Sequence, residues 1–316
     1  MTMAKDPSSP PTTEFSHQNV LSFKFPKQSL TYTERDAAMY ALGVGACNKD
    51  ATDPLDLKYV YHEDGQSKIK VLPTFSTLFA SGSIMYELNF PGFSYDPKLL
   101  LHTQQYIEFY RPLPSSATIQ IEVSTAGLHD KGKAAIVELE MKSFDESSGE
   151  ALCMNRMSLY LRGAGGFSKA SKRYSYSNYP SNQVAFVKVP ESPPFAVYED
   201  QTHNSQALLY RLSGDYNPLH ADPKIANIAR FDRPILHGLC TLGFAGRAVI
   251  KCVCKGDESL MKSLLGRFLL HVFPGETLIN EMWLEGSRVI YQTKAKERNL
   301  PVLVGYADLR RIPSSL

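Results

Sequence analysis

The sequence carries one pattern twice, and this internal repeat limits the fold more than any other feature. Pro73 and Pro234 each open an apolar stretch as a tolerated early helical residue, and they lie 161 positions apart. Pro114 and Pro274 each precede a run of alternating polar and apolar residues, and they lie 160 positions apart. Two nearly equal offsets indicate a duplicated unit of similar structure.

Each copy reads as a helix, then an apolar helix, then strands. Thr33 caps the first helix, which Gly43 ends, and in the second copy Thr202 or Asn204 opens a helix that stops at Gly214. The period-two runs predicted as antiparallel strands are 118–123, 134–144, 153–162, 277–285, 288–296 and 302–311. A helix that is apolar on most faces must be covered on most faces, so we expect an α+β fold with two curved antiparallel sheets, each wrapped on a long apolar helix.

Composition and charge exclude several classes of protein. The chain has 316 residues, of which 43% are hydrophobic, so it is too apolar for a mostly disordered protein. Lys plus Arg number 34 against 32 Asp plus Glu, and this balance predicts no nucleic-acid partner. The most apolar stretch, 235–254, contains His237, Arg247 and Lys251, so it predicts a buried helix and no membrane span.

Domain boundaries follow from the repeat and from composition. We expect a flexible tail at 1–28, a first domain at 29–165, a linker at 166–194, a second domain at 195–312 and a C-terminal tail at 313–316. The boundary between the first domain and the linker falls within Gly163-Ala-Gly-Gly166, which lacks the GxGxxG spacing of a dinucleotide site. We expect no secretory signal at the N-terminus. The final Ser314-Ser315-Leu316 is similar to the Ser-Lys-Leu peroxisomal signal, with a chance tripeptide as the alternative.

One short segment concentrates the chemistry. Asp215, Asn217, His220 and Asp222 lie within eight residues, and a Gly-Asp-x-Asn-Pro turn places them on a loop after the helix. Turn formation is the alternative explanation for Asp215 and Asn217, and we expect Asp222 to cap the next helix. A turn does not need the imidazole of His220. The five scattered cysteines and the apolar Leu219, where a calcium loop would need oxygen, predict no metal site.

The run Tyr210-Arg-Leu-Ser-Gly-Asp-Tyr-Asn-Pro-Leu-His-Ala-Asp-Pro223, continued by Phe231-Asp-Arg-Pro-Ile-Leu-His-Gly-Leu-Cys-Thr241, closely resembles the R-specific 2-enoyl-CoA hydratases of type 2, also called MaoC-like hydratases. The resemblance extends to Leu99-Leu-Leu-His102 and to Gly266-Arg-Phe268, so it covers nearly the whole chain except its tails. Among family members the chain is most similar to the plant peroxisomal form, which is not fused to a dehydrogenase.

The resemblance implies a double hot dog fold with a catalytic second half and a first half that accommodates the acyl chain. It assigns Asp215 and His220 to holding and activating a water, Asn217 to orienting it, and Gly238 to binding the thioester oxygen through its amide. It also implies contacts to coenzyme A, from His102, Thr103, Lys131 and Phe268, although family members commonly have glycine where this chain has Thr103. Gly45 aligns with Asp215, so we expect small residues there to leave room for substrate.

The resemblance also implies a substrate and binding partners. The substrate is an acyl-CoA thioester, with no cofactor besides the coenzyme A that the substrate carries. An import receptor would bind Ser314, Ser315 and Leu316, and a homodimer is a further expectation because hot dog proteins pair. Thioester hydrolysis or simple acyl-CoA binding remain the alternatives, since hot dog folds host several activities.

Overall fold

A computed structural model describes residues 15–79, 88–179 and 187–314 of the chain. Its α-helices are α1 (His17–Leu21), α2 (Glu34–Gly43), α3 (Pro54–Leu57), α4 (Gln206–Arg211), α5 (Pro223–Ile228) and α6 (Gly238–Cys252). Its strands are β1 (Gln28–Tyr32), β2 (Leu100–Phe109), β3 (Ala117–Asp130), β4 (Ala134–Asp145), β5 (Ala151–Arg162), β6 (Ser175–Ser177), β7 (Ala196–Gln201), β8 (Met261–Phe268), β9 (Thr277–Glu285), β10 (Arg288–Ala295) and β11 (Leu300–Leu309).

The strand order shows the duplication directly. The sheet runs β1-β3-β4-β5-β2-β8-β11-β10-β9-β7, so the second five strands repeat the first five in reverse order, and β6 pairs with β3. The halves meet where β2 pairs antiparallel with β8, with Gln104 opposite Arg267 and Ile107 opposite Leu264. The predicted α+β fold is confirmed, with one correction: this pairing joins the two expected sheets into one continuous sheet.

The apolar helix of the second half is confirmed as α6. Its residues from Leu239 to Ile250 are all buried, because the curved sheet and the first half cover it on every side. Among the described residues, no helix combines the length and the apolar character that crossing a membrane would require. In the first half, Pro73–Leu78 forms a 3₁₀ helix, and the continuation of the predicted long helix over 80–87 lies outside the described residues.

Two cations on α6 bind the halves together through buried ion pairs. Arg247 Nη1 lies 3.0 Å from Asp56 Oδ2, and Arg247 also pairs with Asp200. Its Nε donates to the Val44 carbonyl at 3.1 Å. Lys251 Nζ lies 2.7 Å from the same Asp56 oxygen. Because Asp56 and Val44 belong to the first half while Arg247 and Asp200 belong to the second, this network fixes α6 across the domain boundary.

The loop after α2 packs against α6 instead of opening a space. Thr33 forms a capping box with Asp36 at the start of α2, as the sequence predicts for the cap. Gly45 adopts φ +84°, and a Cβ there would lie 2.3 Å from Cε1 of Phe244. The expectation that small residues leave room for substrate is therefore wrong at Gly45, because Phe244 and Arg247 fill that place.

The predicted flexible tail at 1–28 is also wrong over its last part. Residues from Phe15 onward pack against the first half: Val20 on α1 is fully buried, and the ring of His17 stacks on Tyr174 at 3.8 Å. Residues 1–14 lie outside the described part. The linker predicted at 166–194 contains the short strand β6, which pairs with Gly127 to His129 of β3.

Candidate active site

The loop that follows α4 is built by its own polar side chains. The helix is shorter than predicted, beginning at Gln206 and ending at Arg211 before Gly214, which adopts φ +122°. Asp215 Oδ1 accepts from the Asn217 amide at 3.2 Å, and Asn217 Oδ1 accepts from the Leu219 amide at 3.0 Å. The alternative of turn formation is thus partly realised, since one oxygen of each side chain shapes the loop. The Asn217 bond caps a 3₁₀ turn, Pro218–His220, which delivers the imidazole.

His220 is held in one tautomer. Its Nδ1 lies 2.8 Å from the Ile235 carbonyl oxygen, which can only accept, so Nδ1 carries the proton and Nε2 of the neutral ring is an acceptor. Burial lowers the pKa of His220 below its ordinary value, while the Asp215 carboxylate and the bond to Ile235 act in the opposite direction. A neutral ring with a free acceptor nitrogen can take a proton from water at neutral pH.

His237 contacts both His220 and Asp215. Its ring stacks on His220 with centroids 3.7 Å apart, and its Nε2 donates to the Asp215 carbonyl at 3.2 Å and lies 4.0 Å from Asp215 Oδ2. Burial, followed by the neighbouring His220, lowers the pKa of His237 to about 2. His237 lies in the stretch from which the sequence predicts a buried helix, and its side chain is buried. Its contact with both reactive groups was missed, and its position directly before Gly238 was the only available signal.

The ligand atoms of Asp215, His220 and His237 all lie within 4.8 Å of one another, the kind of grouping among the described residues that could hold a metal ion. The absence of a metal site thus stays a prediction.

Gly238 is the first residue of α6, and its backbone is exposed. The Thr241 amide makes the first helical bond, to the His237 carbonyl, so the amides at Gly238, Leu239 and Cys240 have no helical partner. A Cβ at Gly238 would lie 3.1 Å from Cδ1 of Phe268. A side chain at residue 238 would therefore crowd Phe268, whereas glycine leaves the unpaired amides of this helix start open to a ligand oxygen.

His102 reaches the same place from the first half because of a β-bulge. His102 pairs with Leu159 and Gln104 with Ser158, so Thr103 is the extra residue between them. An uninterrupted alternation from Gln104 would turn His102 to the outer face, whereas the bulge turns it inward with the buried Leu159. Its ring lies 5.2 Å from that of Phe268, and burial lowers its pKa to about 4.

The other sequence-predicted residues take different places. Thr103 Oγ1 donates to the Ser158 carbonyl at 3.0 Å, so its side chain fixes the bulge. Lys131 is exposed at the turn between β3 and β4 in the first half. Asp222 accepts from the Lys224 amide at 2.8 Å and caps α5, as predicted. The structure thus brings Asp215 to His220, and Gly238 to Phe268 and His102.

Replacing Gly238 with alanine tests the helix start. We expect kcat/KM for the thioester substrate that the resemblance implies to fall about tenfold to a hundredfold, because the methyl group would obstruct access to the Gly238 amide. Removing a hydrogen-bond donor to a developing oxyanion costs about 100- to 1,000-fold. Thermal unfolding should change little, since a small shift of the half-buried Phe268 ring relieves its 3.1 Å contact with the new methyl group and alanine is a better helix former than glycine. An unchanged kcat/KM in the folded variant would mean that no ligand approaches this amide.

Comparisons with known proteins agree with this geometry. The family described as MFE-2 hydratase 2 N-terminal domain matches residues 30–163, and the MaoC like domain matches residues 185–305. The chain is 63% identical to a protein of Arabidopsis thaliana named enoyl-CoA hydratase 2, peroxisomal, over 96% of this chain and 98% of that protein. It is 42% identical to the mouse peroxisomal multifunctional enzyme type 2, over 92% of this chain and 38% of that protein.

Solved structures show the same architecture. A MaoC-like dehydratase from Phytophthora capsici is 32% identical, with a TM-score of 0.80, over 94% of this chain and 99% of that chain. A Mycobacterium tuberculosis protein described as having a double hot dog fold is 15% identical, with a TM-score of 0.53, over 91% and 95% of the two chains, and supports the fold alone. The two family matches, which together span both repeats, and the 63% identity to the Arabidopsis protein over nearly the whole of both chains show that the chain belongs to the MaoC-like enoyl-CoA hydratase 2 family.

Proposed function

We propose that this chain catalyses the reversible hydration of trans-2-enoyl-CoA to (3R)-3-hydroxyacyl-CoA. The observation that carries the proposal is the meeting of Asp215 and His220 beside the open start of α6 at Gly238. Hydration needs a held water, a proton donor for C2 and a stabiliser of the enolate oxygen. The site offers a group for each of these.

The water would lie between Asp215 and His220, near C3 of the substrate. His220 presents Nε2 as an acceptor because Ile235 holds its other nitrogen. The two groups would exchange protons between the water and C2, which is general acid and base catalysis worth about 100- to 10,000-fold. Asn217 would orient the water through its side-chain Nδ2, while its Oδ1 accepts from the Leu219 amide and so fixes the loop.

The enolate oxygen of the thioester would be stabilised at the start of α6. The Gly238 amide is not used by the helix, and the helix dipole adds partial positive charge there. His102 and Phe268 would contact the pantetheine arm, since their rings stand together beside Gly238. We further propose that the first half accommodates the acyl chain, and that the reaction uses no metal and no separate cofactor.

Purified protein given crotonyl-CoA and a thiol reagent tests this function. Hydration predicts loss of the enoyl absorbance without release of free thiol. Thiol release would instead indicate a thioesterase, and binding without either change would indicate an acyl-CoA carrier. Chiral analysis of the product tests the R configuration separately.

The pathway proposed for this activity is peroxisomal fatty acid β-oxidation, including unsaturated fatty acids whose intermediates have the R configuration. The names of the Arabidopsis and mouse relatives support the compartment. A homodimer belongs to the same proposal, and light scattering of the purified chain tests it.

We propose that Ser314, Ser315 and Leu316 bind the peroxisomal import receptor. Ser314 is the last described residue of the C-terminal tail, and Ser315 and Leu316 lie outside the described residues. Deleting the three residues should disperse a fluorescently tagged chain into the cytosol while leaving hydratase activity unchanged, since they follow the last strand of the sheet. Continued peroxisomal import of the truncated chain would contradict this assignment.

A further inference from the structure

The glycine run Gly163-Ala-Gly-Gly166 lays the start of the linker against the turn between β3 and β4. A Cβ at Gly165 would lie 2.3 Å from the Ala134 carbonyl, and a Cβ at Gly166 would lie 3.3 Å from the Gly132 carbonyl. The Gly163 amide donates to the Lys133 carbonyl at 2.8 Å. The glycines are therefore required for a close approach of two backbones.

Asp130 holds the linker in that position. Its Oδ1 accepts from the amides of Gly132 and Gly166 at 2.7 and 2.8 Å. Its Oδ2 accepts from the amide and hydroxyl of Ser168 at 2.8 and 2.6 Å. The carboxylate is 4% exposed and four donors surround it, so it ties the two segments together and leaves little capacity for a cation.

The held linker brings a third cation to the turn. A Cβ at Gly132 would lie 2.7 Å from Nη2 of Arg173, so the guanidinium rests on the turn between Lys131 and Lys133. All three side chains are exposed. Within the described ranges, none of them forms an ion pair with a carboxylate. Three cations at one turn give it a local positive charge, although the chain as a whole is nearly neutral.

This turn lies at the same end of the strands as His102. Leu100 of β2 is opposite Leu161 of β5, and Leu161 is opposite Ala135 of β4, so the turn at 131–134 lies just beyond Ala135. Two strand spacings separate β2 from β4, about 10 Å across the sheet. An extended pantetheine arm starting beside His102 can cover such a distance and place its nucleotide phosphates at the turn.

We propose that Arg173, carried by the linker, joins Lys131 and Lys133 in binding the phosphates at the nucleotide end of the coenzyme A thioester. The inference rests on the proposed function, and it assigns the linker residue Arg173 to the part of the substrate site that binds the phosphates. Guanidinium forms two parallel bonds to a phosphate, whereas the two lysines act as point charges.

Arg173→Gln tests the proposal by comparing two substrates. We expect KM for crotonyl-CoA to rise about tenfold, in line with the loss of a charge-assisted hydrogen bond at an exposed site. The kcat should not change. The crotonyl thioester of N-acetylcysteamine, which lacks the nucleotide, should be hydrated by parent and variant at equal kcat/KM. The salt dependence of KM for crotonyl-CoA should weaken in the variant.

Matched variants complete the experiment. Arg35→Gln removes an exposed arginine of α2 in the same half and should leave both substrates unaffected. Arg173→Lys keeps the charge and should retain more affinity for crotonyl-CoA than Arg173→Gln. An unchanged KM in Arg173→Gln, or an equal loss with both thioesters, would overturn the assignment.

A binding measurement separates this inference from the proposed function. Titration calorimetry with coenzyme A itself requires no turnover, and we expect Arg173→Gln to weaken binding about tenfold. If the parent chain hydrates neither thioester, the proposed function fails, and this titration still decides the phosphate site. Equal affinity of parent and Arg173→Gln for coenzyme A would refute the site whatever the activity.

Discussion

Replacing Asp215 with asparagine should lower kcat for the hydration of crotonyl-CoA about 100- to 10,000-fold, because an amide of the same shape neither takes nor releases the proton. His220→Gln should have an effect of similar size. The two losses should not add in the double variant, since both groups act on one water. Stopped-flow or steady-state loss of the enoyl absorbance measures all three variants.

Asp222→Asn is the matched control for Asp215. Asp222 lies seven residues further along the same loop and caps α5, and asparagine caps helices as well as aspartate does. Its kcat should equal that of the parent. Binding of coenzyme A and thermal unfolding should be nearly parental in all these variants. An Asp215→Asn protein that retains near-parental kcat would remove this carboxylate from the mechanism.

Arg247→Met should lower the free energy of unfolding by about 3 to 5 kcal/mol, the cost of breaking a buried ion pair by removing one partner. The substitution leaves Asp56 and Asp200 buried, and among the described residues the Asp56 carboxylate keeps its ion pair with Lys251 and a weak bond from the Cys47 amide. Because the lost contacts join the two halves, each half should lose stabilisation from the other, and the second half should unfold at a lower urea concentration than in the parent. Urea unfolding followed by the fluorescence of Trp283, on the second half, measures the change.

Arg288→Met provides the comparison. Arg288 pairs with Asp308 at 2.7 Å, but its side chain is 41% exposed and that of Asp308 is 27% exposed. Solvent screens such a pair, so this variant should lose about 1 kcal/mol or less. Equal losses in the two variants would show that the network around Arg247 contributes no more than a surface pair.

The duplicated architecture could be predicted because local patterns carry it. Capping residues, proline positions and alternating runs locate α2, α6 and the strands β3–β5 and β9–β11. Strand β2 was missed as an element because its bulge at Thr103 breaks the period of two. The joining of the sheets depends on pairing between β2 and β8, and nothing local to either strand specifies that partner.

The closeness of Asp215 and His220 could be predicted from the sequence, since they lie five positions apart on one loop, while their catalytic roles stay a prediction. The residues that hold these side chains and the two halves in place could not be predicted. Ile235, which sets the tautomer of His220, is hydrogen-bonded only once the chain folds back. Arg247 and Lys251 argued against a membrane span, yet their partner Asp56 lies 191 and 195 residues away in sequence. Distant pairings of this kind leave no periodic signal.

The pairing of β2 with β8 within a single chain affects how the enzyme behaves on dilution. Hot dog units that stand alone must find a second copy to complete the surface on which two halves meet, and mass action then governs how many are assembled. Here His102 of the first half and Asp215 of the second half belong to one chain, so dilution cannot separate them. Specific activity should therefore stay constant down to concentrations at which separate subunits would drift apart.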